Sequence, residues 1–147
     1  MSESRFLFRK LTNATDLKKL IAIYQAAFED KRNVPDEKYL DSLIQQTDIH
    51  CFGVFIENQL IGGLTTYFLP QLHSDKKMVY LYEIAIHPTF QRNKAGSFLF
   101  NAFIQECKLK QKEVIFVQAD SEDEYAIEFY RQFKGNEILA FQFDFDL

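Results

Sequence analysis

Apolar side chains at helical spacing follow a short alternating segment at the start of the chain. Residues 5–10 alternate with the two-residue period of a strand. Thr15-Asp16 then reads as the cap of a helix whose apolar residues recur every three or four positions. Asp36 is expected to begin a second helical segment, which ends near Ile44. The pattern predicts one strand followed by two amphipathic helices.

Three apolar runs come next, and each predicts a strand. Residues 49–56 and 60–69 are separated by three polar residues, which predicts a hairpin. Residues 78–86 form the third run and end at a His-Pro break. The turn at 87–95 then leads directly into an apolar helical segment over 96–110. A strand, a turn and a helix therefore make one βα unit in the middle of the chain.

The last third of the chain predicts a strand, a helix and a closing strand. Residues 114–117 are wholly apolar, which is typical of a strand buried on both faces. Ser121 and Glu124 have the spacing of a capping box that opens a helix. Residues 138–145 alternate again as a strand. Three phenylalanines of this last strand would share one face: Phe141, Phe143 and Phe145.

The order β-α-α-β-β-β-α-β-α-β predicts an α/β fold, with a mixed sheet and helices on both faces. A length of 147 residues suits one domain, and the chain shows no repeat and no linker. We therefore expect residues 1–147 to form a single domain.

Composition and charge narrow the classes of partner. Hydrophobic residues make up 47% of the chain and charged residues 26%, which is typical of a soluble globular protein. No apolar run approaches the roughly 20 residues that span a bilayer, and the start lacks a secretory signal, so no membrane partner is expected. Cys51 and Cys107 are expected to be buried free thiols in a reducing, cytoplasmic setting. A net charge of −4 argues against a nucleic-acid partner and fits a cationic one.

The turn Gln91-Arg92-Asn93-Lys94-Ala95-Gly96 lies between a strand and a helix N-terminus. Backbone N–H groups at such a place point outward, and with the helix dipole they favour a pyrophosphate. Arg92 and Lys94 add positive charge in an otherwise acidic protein. An ordinary connection with solvated basic residues is the alternative interpretation.

Glu83 is the only charged residue in the apolar strand 79–86. Burial would raise its pKa towards neutrality, where it could take a proton from an ammonium group. Transfer of an acyl group to an amine needs this step, because a protonated amine is not a nucleophile. The alternative is a carboxylate held by a local salt bridge or a turn amide.

Gln91, Arg92 and Gly96 resemble the acetyl-CoA motif of the GNAT acetyltransferases, Gln/Arg-Arg-x-Gly-x-Gly/Ala, which ends the fourth strand of that family. Lys94 stands where the family usually has its first glycine. The resemblance implies a GNAT-like acyl-CoA N-acyltransferase fold with a mostly antiparallel sheet, and acetyl-CoA as the cofactor. The residues implied in cofactor binding are Ile84, Ala85, Ile86, Gln91, Arg92, Asn93, Lys94, Ala95, Gly96, Ser97 and Tyr130.

Tyr130 ends the segment Ala126-Ile127-Glu128-Phe129-Tyr130, which resembles the second GNAT motif, Ala-x-x-Leu/Phe-Tyr. In that family the tyrosine often protonates the departing CoA thiolate, which makes Tyr130 the implied acid and Glu83 the base. A core aromatic on a helix is the alternative. The family's later glycine is replaced by Lys134, and Gly135 follows it. A bulged backbone N–H in the stretch 84–86 would be the family's oxyanion donor.

Carboxylates crowd the end of the strand at 114–117 and the C-terminus. They could gather around a polycationic acceptor, because ligands collect at the carboxyl ends of strands in open α/β sheets. Alternatively, they stabilise a helix N-terminus. The expected acceptor-binding residues are Tyr82, Glu83, Asp120, Glu122, Asp123 and Asp144. The three histidines show no metal-ligand spacing, so no metal site is predicted.

Three stretches resemble the aminoglycoside 3-N-acetyltransferases in particular: 80–86, 116–120 and 141–144. That subfamily typically has Asp at the position of Glu83. The resemblance implies acetyl transfer to a small polycationic amine, an aminoglycoside at its 3-N position, and hence antibiotic resistance.

Other readings stay open. The acceptor could be a polyamine, a protein N-terminus or a lysine. In another functional class, Lys94 and Lys134 could leave a catalytically silent GNAT-like domain that binds a ligand or partner. A homodimer is compatible with the sequence, which does not set the oligomeric state.

Overall fold

A computed structural model describes residues 5–147 of the chain. The strands and helices of this part follow one another in the predicted order, except that the predicted last strand is absent. Their bounds are β1 Phe6–Lys10, α1 Ala14–Phe28, α2 Glu37–Ile44, β2 Ile49–Ile56, β3 Gln59–Leu69, β4 Met78–Ile86, α3 Ala95–Leu109, β5 Ile115–Val117 and α4 Glu124–Arg131, with a 3-10 turn at Pro88–Phe90 between β4 and α3.

The five strands form one mixed sheet in the order β1-β2-β3-β4-β5. Neighbours from β1 to β4 are antiparallel, and β5 runs parallel to β4. The hairpin of β2 and β3 closes through Glu57, whose φ of 54° gives the turn its left-handed residue. The predicted α/β architecture, with a mostly antiparallel mixed sheet and flanking helices, is confirmed.

Helices α1 and α3 cover opposite faces of the sheet. Leu20 of α1 lies against Gly63 of β3, where a Cβ would meet the leucine side chain at 2.7 Å. Phe103 of α3 instead contacts Phe52 of β2, with ring centroids 5.8 Å apart. Phe52 pairs with Leu64, the residue after Gly63, and successive residues of a strand point to opposite faces. The two cores therefore lie on either side of β2, β3 and β4.

Side-chain caps begin three of the helices, and two of them differ from the prediction. Asn13, not Thr15-Asp16, caps α1, and its Oδ1 accepts from the N–H of Asp16 at 2.8 Å. Asp36 caps α2 as predicted. The capping box at Ser121 is wrong, because the Oδ1 of Asp123 accepts from the N–H of Ala126 at 3.0 Å. Asn and Asp cap a helix as well as Ser and Thr do, so sequence alone misplaced the first turn.

Contacts divide the chain into two compact units, one ending at Val117 and one comprising Gln118–Leu147. The first contains the whole sheet with α1, α2 and α3, and the second contains α4. Both cysteines are free thiols, Cys107 buried and Cys51 partly so. Within residues 5–147, no helix combines the length and the apolar character needed to cross a membrane.

Two expectations about the C-terminal third are wrong. β5 has only three residues, Ile115–Val117, and all three are partly exposed rather than buried on both faces. No strand forms over 138–145, and Phe141, Phe143 and Phe145 are exposed. A strand needs a neighbour that accepts and donates its backbone hydrogen bonds, and the described part of the chain pairs none with this segment.

Candidate active site

A β-bulge in β4 places the residues around Glu83. Thr65 of β3 lies opposite Glu83, but the next residue, Thr66, lies opposite Leu81, so Tyr82 has no partner in the register. Such a bulge re-aims the side chains beside it, and Tyr82 is 55% exposed. The expectation of a bulge within 84–86 is wrong, since those three residues pair regularly with β3.

The pairing of β4 with β5 stops at the same point. Only Val79, Tyr80 and Leu81 have partners in β5, and the register beyond Leu81 is empty in the described part of the chain. The stretch Tyr82–Ile86 therefore has backbone groups without a strand partner on one edge. Ligands bind where the strands of an α/β sheet separate at their carboxyl ends, and Ile84, Ala85 and Ile86 lie in this stretch.

Glu83 is half-buried, as its isolation in an apolar strand predicts. Loss of hydration raises the pKa of its carboxyl above the ordinary value, while a hydrogen bond from the Thr65 side chain lowers it. The charges of Arg32 and Asp30 act in opposite directions, Arg32 lowering this pKa and Asp30 raising it. The net direction is upward, so the carboxyl can hold or release a proton closer to neutrality than an exposed glutamate can.

Thr65 connects Glu83 to α1. Its Oγ1 lies 2.9 Å from the hydroxyl of Tyr24 and 3.8 Å from the Sγ of Cys51. Burial first, and then the charge of Glu83, raise the pKa of Tyr24 well above its usual range, so this phenol stays protonated. An ionised carboxylate only accepts hydrogen bonds, and Thr65 has one proton to give. The hydroxyl of Tyr24 therefore donates a hydrogen bond to Oγ1 of Thr65, and the hydroxyl of Thr65 donates a hydrogen bond to the carboxylate of Glu83.

Sequence reasoning missed Thr65 and Tyr24 as site residues. Thr65 and Thr66 are two hydroxyl residues in the middle of the long apolar strand β3, which was the available signal. Tyr24 lies among the apolar residues of α1, and nothing local distinguishes it from a core aromatic. Its contact with Thr65 joins positions 41 residues apart.

The loop after α1 adds a pair of charges. Glu29 ends α1 with a φ of 54°, and the carboxylate of Asp30 then accepts from the backbone N–H and the guanidinium of Arg32. The pair raises the pKa of Arg32 and lowers that of Asp30. Because both charges act on the pKa of Glu83, this loop belongs to the same electrostatic neighbourhood, which the sequence did not indicate.

Aromatic rings extend from the bulge towards β5. The ring of Tyr82 meets Tyr67 edge-on at 5.8 Å and Tyr80 edge-on at 6.0 Å. Tyr80 in turn stacks on Phe116 of β5, with centroids 4.7 Å apart and planes 2° from parallel. Ring faces attract cations, so this cluster and Glu83 together make a surface suited to an ammonium group.

The turn before α3 is held by its own side chains. The Nε2 of Gln91 donates to the carbonyl of Ile86 at 3.0 Å, and the Oδ1 of Asn93 accepts from the N–H of Ala95 at 3.2 Å. Lys94 precedes α3 without a side-chain cap, so the next helical N–H groups, of Gly96 and Ser97, receive no side-chain partner from it. An uncapped helix N-terminus of this kind fits an anion such as a pyrophosphate.

Arg92 and Lys94 both have left-handed backbone, and Lys94 stands where the GNAT motif usually has glycine. Their φ values are 64° and 72°, a region that glycine enters at no steric cost and lysine enters rarely. Lys134 has a φ of 58° and stands at the other position where the family usually has glycine. Both lysines therefore keep a backbone conformation that glycine adopts readily.

In the second compact unit, Tyr130 lies on α4. Burial first, and the charge of Asp123 second, raise the pKa of its phenol to about 12. Tyr130 is therefore protonated at neutral pH and can act only as a proton donor there.

The carboxylates of this unit are partly engaged by its own backbone. Asp123 caps α4, and the Oδ1 of Asp120 accepts from the N–H of Glu122 at 3.0 Å. Asp144 accepts from the side chain of Gln142 at 2.9 Å. Asp120, Glu122 and Asp123 lie together just before α4, whereas Asp144 lies about twenty residues further along the chain.

Comparison with known proteins gives the family and the fold. The model of the acetyltransferase (GNAT) family matches residues 17–135. No curated protein matches the chain significantly. Among solved structures, the aminoglycoside acetyltransferase meta-AAC0020 from an uncultured soil metagenomic sample is 36% identical in its complex with trehalose, with a TM-score of 0.89 over 97% of this chain and 96% of that one. Its complex with sisomicin gives 35% identity and a TM-score of 0.90 over the same shares.

More distant structures share the fold. The aminoglycoside acetyltransferase HMB0005, also from an uncultured soil metagenomic sample, is 24% identical with a TM-score of 0.82 over 99% of this chain and 100% of that one. The match of the family model to most of the chain, the identity to meta-AAC0020 and the turn before α3 lead to one conclusion. The chain belongs to the GNAT acetyltransferase family and is an N-acetyltransferase that uses acetyl-CoA.

Proposed function

We propose that this enzyme transfers the acetyl group of acetyl-CoA to a primary amine of a small polycation, with an aminoglycoside acetylated at its 3-N position as the first candidate. The half-buried Glu83 beside the bulge at Tyr82 carries the proposal, because a carboxyl of raised pKa is what deprotonation of an ammonium requires. The aminoglycoside acetyltransferase at 35% identity was solved with sisomicin, which supports this class of acceptor. Antibiotic resistance is the phenotype that this activity implies.

Glu83 is the proposed base. Its carboxylate accepts the proton of the ammonium, and the free amine can then attack a carbonyl carbon. The hydroxyl of Thr65 donates to the carboxylate and Tyr24 donates to Thr65, so the ionised form of Glu83 is held in one orientation. The hydrogen bond from Thr65 keeps the pKa of Glu83 from rising as far as burial alone would take it.

The turn 91–97 is the proposed site of the cofactor's pyrophosphate. Acetyl-CoA supplies the activated acetyl group. The N–H groups of Gly96 and Ser97 and the charges of Arg92 and Lys94 would hold the phosphates, while Gln91 and Asn93 keep the turn in shape. The edge of Ile84–Ile86 supplies backbone groups for the rest of the cofactor.

Tyr130 is the proposed acid that protonates the departing thiolate. A phenol that stays protonated at neutral pH suits this role. The family model spans residues 17–135 and so includes Tyr130.

Acceptor binding is proposed for the aromatic cluster and the acidic residues. Tyr82, more than half exposed, offers a ring face to a cationic amine next to Glu83. Asp120, Glu122, Asp123 and Asp144 would add charge, although exposed ion pairs contribute only about 0.2–1 kcal/mol each. Several of them must therefore act together on one polycation.

A panel of acceptors tests the proposed function directly. With thiol release from acetyl-CoA as the readout, we expect an aminoglycoside to be acetylated faster than a polyamine or a lysine peptide. Its KM should rise with salt, because the Debye length falls from about 10 Å at 0.1 M to about 3 Å at 1 M. Turnover of the polyamine or the lysine peptide but not of the aminoglycoside would contradict the proposed acceptor. A KM that does not depend on salt would contradict the proposal that the acceptor is a polycation.

Substitutions in the turn test the cofactor site. Arg92→Ala should weaken acetyl-CoA binding by about 1–3 kcal/mol in a calorimetric titration, the range for a charge-assisted hydrogen bond. Lys19→Ala on α1 is the matched control, an exposed cation whose loss should leave affinity unchanged. Lys94→Gly removes both the charge and the cost of the left-handed backbone, and weaker binding would mean that the charge matters more. Equal affinity of Arg92→Ala and the parent would place the pyrophosphate elsewhere.

Thr65 tests the control of the base. Thr65→Val removes the hydrogen bond that lowers the pKa of Glu83, so that pKa should rise and the acid limb of the kcat profile should move to higher pH. Thr65→Ser keeps the hydroxyl and should keep the parent profile. The loss of a partner for the buried Tyr24 hydroxyl should lower the unfolding free energy of the Val variant by about 1–3 kcal/mol, so each profile is recorded well below its Tm. An acid limb that does not move in Thr65→Val would contradict the assignment.

A further inference from the structure

Four lysines line a hollow at the end of the sheet where β4 and β5 begin, and we call it the lysine hollow. It has a volume of about 310 Å³ and lies between the loop before β4 and the loop that joins α3 to β5. Pockets for small molecules begin at roughly 300 Å³. The lining residues are Asp75, Lys76, Lys77, Lys110, Gln111 and Lys112. The lining therefore carries four positive charges and one negative charge, in a protein whose net charge is −4.

The lysine hollow is distant from the groups that acetyl transfer would use. α3 begins beside the turn 91–97 and ends at Leu109, directly before Lys110, and its 15 residues span roughly 22 Å. Glu83 lies in the second half of β4, whereas Lys77 directly precedes the first residue of that strand. The proposed reaction therefore leaves these lysines without a role.

Hydrogen bonds between the two loops form the walls of the hollow. The backbone N–H of Glu113 donates to the carbonyl of Lys77 at 3.2 Å. The side-chain amide of Gln71 donates to the carbonyl of Lys76 and to the carboxylate of Glu113, each at 2.7 Å. Because these bonds join the loops within the protein itself, a ligand would not have to order them, and preorganisation lowers the cost of binding.

Ion pairs at the rim position two of the four ammonium groups. The Nζ of Lys77 lies 2.7 Å from the Oδ1 of Asp48, and the Nζ of Lys110 lies 3.5 Å from the Oε1 of Glu106. Both pairs are partly exposed to water, where such pairing is weak. The two ammonium groups are therefore placed at the rim and remain available to a second anion.

The other two ammonium groups, those of Lys76 and Lys112, form no ion pair within residues 5–147. The Nζ of Lys112 lies 4.7 Å from the ring centroid of Phe68, a cation–π contact that attracts the charge without neutralising it. Lys76 is exposed. Each loop therefore contributes one lysine whose charge no carboxylate offsets.

The ring of His50 on β2 responds to part of this charge. Loss of hydration lowers its pKa most, and a hydrogen bond to the carbonyl of Thr47 raises it. Three lysine charges lower this pKa further: Lys10, Lys110 and Lys112. A positive potential disfavours a protonated ring, so the lysines of the loop after α3 act as positive charge on their surroundings.

We propose that the lysine hollow binds a small anion with two linked phosphate groups, a diphosphate. Lys76 and Lys77 lie on one loop and Lys110 and Lys112 on the other, so an anion charged at both ends can meet both loops at once. Ammonium groups bind phosphate oxygens as point charges, and the amide of Gln111 offers a further donor.

A titration with pyrophosphate, followed through the amide chemical shifts of the whole chain and without divalent cations, tests the proposal. The amides of 75–77 and 110–113 should shift together and saturate. The turn 91–97 is a second candidate for pyrophosphate, and the residues that shift tell the two sites apart. Arg92→Ala should leave the shifts of the first set unchanged. ADP distinguishes the sources: tighter binding than pyrophosphate at 75–77 and 110–113 would indicate a nucleoside diphosphate, and equal binding a free diphosphate.

Substitutions of opposite charge should have opposite effects. Lys76→Gln and Lys112→Gln should each weaken pyrophosphate binding at these residues about tenfold, the loss expected for one charge-assisted hydrogen bond. Asp75→Asn removes the carboxylate of the lining and should tighten binding. Lys38→Gln, at an exposed lysine of α2, is the matched control and should leave the affinity unchanged.

Three results would overturn the proposal. One is a titration in which the amides of the two loops do not shift. Another is equal affinity for pyrophosphate and sulfate at equal ionic strength, which would mean that the lysines attract any anion. The third is an equal effect of Lys76→Gln and Lys38→Gln. Lys76 is exposed, so its substitution tests the site even where Lys112→Gln does not fold. None of these measurements uses acetyl-CoA or an acceptor, so they do not depend on the proposed function.

Discussion

A carboxylate in the middle of an apolar strand loses hydration, which destabilises its charge. A hydrogen bond from the Thr65 side chain offsets part of this loss at Glu83. That hydrogen bond is available because the two residues face each other across β3 and β4. The bulge at Tyr82 lies next to Glu83 in the chain. On one side of it Glu83 pairs with Thr65 of β3, and on the other side Val79–Leu81 pair with β5. The proposed base therefore lies beside the bulge, and the edge of Tyr82–Ile86, which has no strand partner within residues 5–147, begins at the same point of β4.

β4 and the turn that follows it carry most of the groups that the proposed reaction uses. Its middle carries Glu83, its edge offers backbone groups, and its end leads into the turn before α3. The turn is held by hydrogen bonds of Gln91 and Asn93, so the helix N–H groups can remain available to an anion. The order of these features along the chain is also why they could be recognised from sequence.

Local signals in the sequence were sufficient for most elements and for the partial burial of Glu83, because apolar periodicity and a lone charge are properties of a few neighbouring residues. Tyr24 and Thr65 were missed because their contact spans 41 residues. The cap of α4 was misplaced because Asp123 competes with Ser121 over a distance of two residues. The strand at 138–145 has a genuine two-residue period, but no neighbour within the described chain, and periodicity carries no information about a partner.

The pH dependence of Glu83→Gln tests the central claim most directly. In the parent, kcat for an amine acceptor should rise with pH through an apparent pKa above that of an ordinary glutamate. The Gln variant should lose most of its rate below the pKa of the amine and recover towards the parent at higher pH, where the free amine needs no base. A Gln variant with the parent's kcat and pH profile would contradict the account, and so would a loss of equal size at every pH.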